Sequence, residues 1–179
     1  MAMNNYLSII NLNVNGLNAP IKRRRIAEWI RKHDPYICCL QETHLRTKDL
    51  HRLKVKGWKQ IFQANRQEKK SWGSNTHSRQ NRLQKKGHKR DAEGHFIILK
   101  GRIHQEDINI VNIYAPNIGA HKYIKKILED FKKDIDSNTI IVGDCNTPLS
   151  KMDRTSKQNI KKDIVALNNT LDEMDLTNI

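Results

Sequence analysis

Four polar clusters in this chain stand where apolar runs stop, and their residue types suit work on a phosphate. Asn13 and Asn15 flank Val14, and Asp144 and Asn146 flank Cys145. In an extended strand such alternate residues share one face. Glu42 follows the apolar run Tyr36–Leu40 almost at once, and Tyr114 closes another apolar run before Ala115-Pro116-Asn117. Carboxylate and amide oxygens converging at strand ends are what a hard cation such as Mg²⁺ takes, with water and phosphate in its remaining positions. Each cluster alone also has a plain structural reading. Asn-x-Asn-Gly is a turn, a lone Glu at a strand end is solvated, and Gly-Asp-Cys-Asn fits a hairpin connection.

The elements that must position these residues can be read from periodicity. Tyr6–Val14 is a short β-like run closed by the turn signal Asn15-Gly16. Pro20 opens a helix marked by Ile26, Trp29 and Ile30, and Asp34-Pro35 stops it. Tyr36–Leu40 reads as a buried strand and Trp58–Gln63 as another after Gly57. His95–Leu99 and Ile108–Tyr114 look like paired strands across a polar turn. Ile124, Ile127, Leu128, Phe131 and Ile135 mark an amphipathic helix, Thr139–Val142 a short strand, and Ile160, Ile164, Leu167, Leu171 and Met174 a last helix. Interspersed strands and helices predict a mixed α/β sandwich.

Composition narrows the function classes. The 179 residues suffice for one sizeable core, and no apolar run approaches the roughly 18 residues of a membrane span. The N-terminal residues lack the basic and apolar regions of a secretory signal, and three cysteines, two of them adjacent, give neither disulfide arithmetic nor zinc spacing. An intracellular protein, nuclear or cytoplasmic and not secreted, is expected. The net charge of +14 points to a polyanionic partner, yet +8 of it lies between Arg66 and Arg90, where nine basic residues meet one acid, Glu68. Ser71–Gly87 holds only two large apolar residues, Trp72 and Leu83, and reads as part of a disordered basic segment spanning 66–90.

Taken in order, Leu-Asn-Val-Asn-Gly-Leu (12–17), Gln-Glu-Thr-His (41–44), Asn-Ile-Tyr-Ala-Pro-Asn (112–117) and Gly-Asp-Cys-Asn-Thr-Pro-Leu (143–149) resemble the exonuclease–endonuclease–phosphatase superfamily. More narrowly, the chain resembles the N-terminal endonuclease domain of the second-reading-frame protein of mammalian LINE retrotransposons. Ile21-Lys22-Arg23-Arg24-Arg25, His51-Arg52-Leu53-Lys54 and Lys56-Gly57-Trp58 match as well. The resemblance implies a four-layered α/β sandwich that nicks DNA by metal-assisted attack of water on a phosphodiester. It implies that Glu42 is the principal Mg²⁺ ligand with Asn13 close to the metal, and that Tyr114 hydrogen-bonds a phosphate oxygen or the developing charge. Asp144 would orient or activate the attacking water, Asn146 would hold the scissile phosphate, and Asn117 and Arg154 would contact the DNA backbone.

Three departures qualify the match. The family has an apolar strand where this chain reads Ser71–Gly87, a pattern that suggests compensating frameshifts. The chain stops at Ile179 without the family's closing Ser-Asp-His motif, so an incomplete sandwich and an inactive, truncated endonuclease are expected. Cys145 replaces an aromatic residue, which should leave a gap costing roughly 2–4 kcal/mol. The other reading is a non-catalytic, basic nucleic-acid-binding module.

Overall fold

The computed structural model describes residues 7–45, 47–64, 74–79, 83–91, 94–147 and 162–177. Two four-stranded sheets face one another, each containing a parallel pair joined by a helix. In the first sheet, β1 (Ile9–Asn13) runs through α1 (Pro20–His33) into β2 (Ile37–Gln41). The sheet continues with β3 (Trp58–Ala64) and β4 (Ser74–Arg79) in the order β1-β2-β4-β3. In the second, β5 (Gln84–Arg90), β6 (Phe96–Ile103) and β7 (Glu106–Tyr114) form an antiparallel meander. From β7 the chain passes through α2 (Ala120–Asp130) to β8 (Thr139–Asp144), which pairs parallel with β7. A third helix, α3 (Lys162–Glu173), packs on α2.

Local sequence accounts for these elements. Pro20 sits at the start of α1, where its missing N–H is no loss, and Arg31, Lys32 and His33 complement the negative end of the helix dipole. Asp34 then turns left-handed, and its N–H bonds the Ile30 carbonyl at 2.9 Å. The continuous apolar run of β2 arises because this strand is covered on both faces. Cys39 and Ile37 join the cluster between the sheets with Ile97, Leu99 and Ile110, whereas Cys38 and Leu40 pack with Ile30, Leu53 and Val55 beneath α1. Both cysteines are fully buried, and burial, reinforced by Cys39, pushes the Cys38 thiol far up. They fill core. On the outer face of the second sheet, Ile98, Val111 and Ile113 meet Ile127 and Phe131. The layers are therefore helix, sheet, sheet, helix.

Of the basic 66–90 segment, residues 74–79 and 83–90 are described, and 74–79 and 84–90 are strands. Ser74–Arg79 is β4, paired antiparallel to β2 on one side and β3 on the other. Gln84–Arg90 is β5, at the edge of the second sheet. Backbone hydrogen bonds to two neighbours hold a polar strand in register, and strand preference is set more by such context than by composition. Leu83 anchors β5 by burying itself against Ile97 and Leu99. The lysines of β5 remain at an exposed edge, with Lys86 paired to Asp107 at 2.6 Å and Lys89 to Asp134 at 3.5 Å. Residues 65–73 and 80–82 lie outside the described residues. β7 lies inside the second sheet between β6 and β8, and β8 is the edge.

Candidate active site

Parallel pairing explains why the polar clusters meet. Strands paired in parallel end at the same edge, so β1 delivers Asn13 opposite Gln41, and β7 delivers Tyr114 opposite Asp144. Face-to-face packing of the two sheets then sets these two ends against each other. The ladder continues into the loops: Gly16 N donates to the Glu42 carbonyl at 2.6 Å, Leu17 N to Thr43 at 2.7 Å, and Ala115 N to Asp144 at 2.9 Å.

Glu42 is the hub. Its Oε1 accepts the Tyr114 hydroxyl at 2.9 Å and the Asn13 amide Nδ2 at 2.9 Å. The same amide lies 3.5 Å from Asp144 Oδ2, so one NH₂ group stands between two carboxylates. The Asn13 amide oxygen accepts the Asn15 N–H at 3.1 Å, and Asp144 Oδ1 accepts the Asn146 N–H at 3.1 Å. Both strands thus finish in the same side-chain-to-backbone turn, with Asn15 and Asn146 left-handed at φ 40° and 44°. Asn15 and Asn146 belong to these turns and not to the strands, which differs from the shared-strand-face reading of their spacing. Asn146 still reaches the cluster, because its Nδ2 donates to the Ala115 carbonyl at 2.7 Å and its side chain also bonds Tyr114.

Glu42 itself is left-handed at φ 51°, a conformation costing roughly 1–2 kcal/mol for a residue with a Cβ. Gly143 is equally constrained, since a Cβ there would lie 1.8 Å from the Ile113 carbonyl oxygen. Only glycine lets β8 approach β7 closely enough to present Asp144. Burial first, then the hydrogen bond and charge of Glu42, then the charge of Asp144, push the Tyr114 phenol up to about 12. Tyr114 is therefore a protonated donor throughout the neutral range.

Asn13, Glu42, Tyr114, Asp144 and Asn146 come together. Asn117 stands exposed on the loop after β7, bonded to none of them among the described residues, and Arg154 lies outside those residues. Cys145 is half-buried against the cluster of Ala115, Ala120, Ile124 and Leu128. Sequence reasoning missed the support beneath the site. Gln41, fully buried, donates from Nε2 to Asn112 Oδ1 at 3.1 Å and to the Ile113 carbonyl at 2.9 Å, bridging the sheets one residue before Glu42. The available signal was two amides inside otherwise apolar strands.

The donor set suits a hard cation. Glu42 uses one carboxylate oxygen for its two bonds, and Oε2 has no hydrogen-bond partner among the described residues. Among the described residues no group of three or more His, Cys, Asp or Glu ligands forms; a hard cation such as Mg²⁺ can be held by one or two carboxylates with water in its other positions. Asn13 offers this site its NH₂, a donor, and so steadies Glu42 in this arrangement.

The sequence profile of the Endonuclease/Exonuclease/phosphatase family matches residues 10–176. Among solved structures, the chain is similar to the endonuclease domain of TRAS1, a telomere-specific non-LTR retrotransposon, with TM-score 0.67 and 14% identity over 93% of this chain and 71% of that one. An AP endonuclease from Archaeoglobus fulgidus gives TM-score 0.66 and 19% identity over 94% of this chain and 71% of that one. D. rerio TDP2, solved with a single-strand DNA product, gives TM-score 0.65 and 16% identity. There the match covers 90% of this chain and 64% of that protein's length.

Proposed function

From the premise that this chain belongs to the endonuclease/exonuclease/phosphatase family, we propose that its strand-end cluster is the metal- and phosphate-holding part of a DNA endonuclease site of LINE retrotransposon type. The observation that carries this reading is the double hydrogen bond onto Glu42 Oε1 from Tyr114 and Asn13. It fixes one carboxylate where four strand ends converge. D. rerio TDP2 with its DNA product and the TRAS1 endonuclease domain share the fold and support a nucleic-acid substrate.

Glu42 would hold Mg²⁺, with Asp144 in reach of the same locus. Bound there, the cation supplies positive charge to a phosphate oxygen. Tyr114, kept protonated, donates a hydrogen bond to Glu42 and would offer the same hydroxyl to a phosphate oxygen. Asp144 Oδ2 is held only at 3.5 Å by Asn13 and can accept a proton from an attacking water. Asn146 keeps one amide hydrogen on the Ala115 carbonyl, and the other, which meets Tyr114, would be shared with a phosphate oxygen. We further propose that this cluster binds a phosphodiester without cutting it.

Nicking of supercoiled plasmid in Mg²⁺, paired with Mn²⁺ binding by electron paramagnetic resonance, tests both halves. We expect Mn²⁺ binding that is lost in Glu42→Gln, and no nicking. Nicking that vanishes in Glu42→Ala would overturn the inactivity. Absence of Mn²⁺ binding would overturn the metal site and leave the non-catalytic binding module as the better reading.

A further inference from the structure

Between α1 and the segment Arg52–Lys56 runs a groove of about 400 Å³. Six cations line it, among them Arg24, Arg31, Arg52, Lys54 and Lys56, against a single acid, Glu28. The fold imposes this. Leu53 and Val55 are buried in the same cluster as Ile30, which α1 contributes, so the alternating Lys54 and Lys56 are left facing solvent. Along α1, Pro20, Arg24, Ala27 and Arg31 recur at three- and four-residue spacing and form one stripe about 16 Å long.

What these cations lack is as informative as where they stand. On the second sheet, by contrast, Lys86 and Arg102 share Asp107, and Lys89 and Lys100 share Asp134. Around the groove, Arg52 leans on Asp49 at 3.3 Å. Arg23 spends its guanidinium on the Leu17 and Asn18 carbonyls. Arg24, Arg31, Lys54 and Lys56 have no ion pair or hydrogen bond among the described residues. Unpaired like charges around a concavity repel one another and add nothing to the fold.

We propose that this groove binds the sugar-phosphate backbone of a nucleic acid, as a contact separate from the strand-end site. The groove's Pro20 end opens toward that site, because Lys22 Nζ donates to the Asn15 carbonyl at 2.8 Å and ties the first turn of α1 to the loop leaving β1. A strand lying in the groove therefore leads toward Glu42. Only this direction rests on the catalytic reading; the binding does not.

The test is fluorescence anisotropy with labelled single-stranded DNA, duplex DNA and RNA, in EDTA, across about 50–200 mM salt. Arg24→Glu/Lys54→Glu should weaken binding at least about tenfold and lower the salt slope by about 2. Lys132→Glu/Lys133→Glu carries the same charge change on an exposed turn and should cost less than about twofold. Equal losses from both variants would reduce the effect to net charge and overturn the proposal, as would no loss from the groove variant. The three nucleic acids distinguish DNA from RNA as the source of the backbone, and competition by tripolyphosphate as strong as by oligonucleotide would also overturn it. On the unaltered chain, oligonucleotide should protect Lys54 and Lys56, but not Lys132, from acetylation; no protection refutes the groove whatever the variants do. Because the assay excludes metal and reads binding alone, an outcome here leaves the Glu42 test untouched.

Discussion

Gln41→Leu should cost about 2–3 kcal/mol of stability without touching any group that faces solvent. Gln41 Nε2 makes the two bonds that tie the sheets together beneath the site, to Asn112 Oδ1 and the Ile113 carbonyl, and both amide residues are fully buried. Leucine keeps the side-chain bulk but removes both bonds, at about 1 kcal/mol each, and strands Asn112 Oδ1 at a further 1–3 kcal/mol. Part of this is returned, because the buried Gln41 Oε1 has no partner among the described residues and its desolvation cost disappears with it. Asn112→Leu removes the same acceptor together with the partnerless Asn112 Nδ2, and should cost about 1–2 kcal/mol. The double variant leaves only the Ile113 carbonyl short of a donor and should cost about 1 kcal/mol, well below the sum of the singles. Urea unfolding of the four proteins measures the cycle. A Gln41→Leu cost below about 0.5 kcal/mol, or a double variant equal to the sum, would show that the bridge does not couple the sheets.

Four further outcomes follow from the same geometry. Ultraviolet titration should place one tyrosine near 12, absent in Tyr114→Phe and lowered toward the ordinary value in Glu42→Gln; an unmoved step would show that burial alone raises it. Since the folded phenol is the one held up, its contribution to stability is full below about 10 and declines as pH rises toward about 12, and the decline should vanish in Tyr114→Phe. Gly143→Ala must displace β8 from the Ile113 carbonyl, so it should abolish Mn²⁺ binding and lower the melting temperature; a variant that binds like the parent refutes the close-approach argument. Asp107 and Asp134 are held below their ordinary range, by hydrogen bonds from Lys86 and from Lys100 respectively, so their contribution is present above about 3.8 and lost as pH falls further. Asp107→Asn/Asp134→Asn should consequently flatten the acid limb of the stability curve, and an unchanged limb would refute it.

How much was legible depended on whether a residue's neighbours in space were also its neighbours in sequence. The helix at Pro20–His33, the strand Ile37–Gln41 and the hairpin of β6 and β7 carry their own period and punctuation, so they could be read directly. The site residues were legible because each sits next to an apolar run that ends. β4 was not, since Ser-Asn-Thr-His-Ser-Arg has no apolar alternation and owes its place to β2 and β3 on either side. The inter-sheet pair Gln41 and Asn112 is 71 residues apart and has no local signature. The groove was half visible. Leu53-Lys54-Val55-Lys56 alternates and Arg24 and Arg31 share a helix face, but their meeting depends on how α1 lies over the first sheet.

The split origin of the cluster also sets when it can exist. Asn13 and Glu42 are 29 residues apart within one β-α-β unit, whereas Asn13 and Asp144 are 131 apart across two. Closing the longer loop costs only about 1.3 kcal/mol more than the shorter one, so the delay is kinetic more than energetic. The cluster appears only when the two units dock, and a half-docked chain holds an isolated pair from each side. During synthesis, Glu42 leaves the ribosome about a hundred residues before Asp144. At roughly 5–20 residues per second it waits about 5–20 s for its partner, with one face of its sheet open.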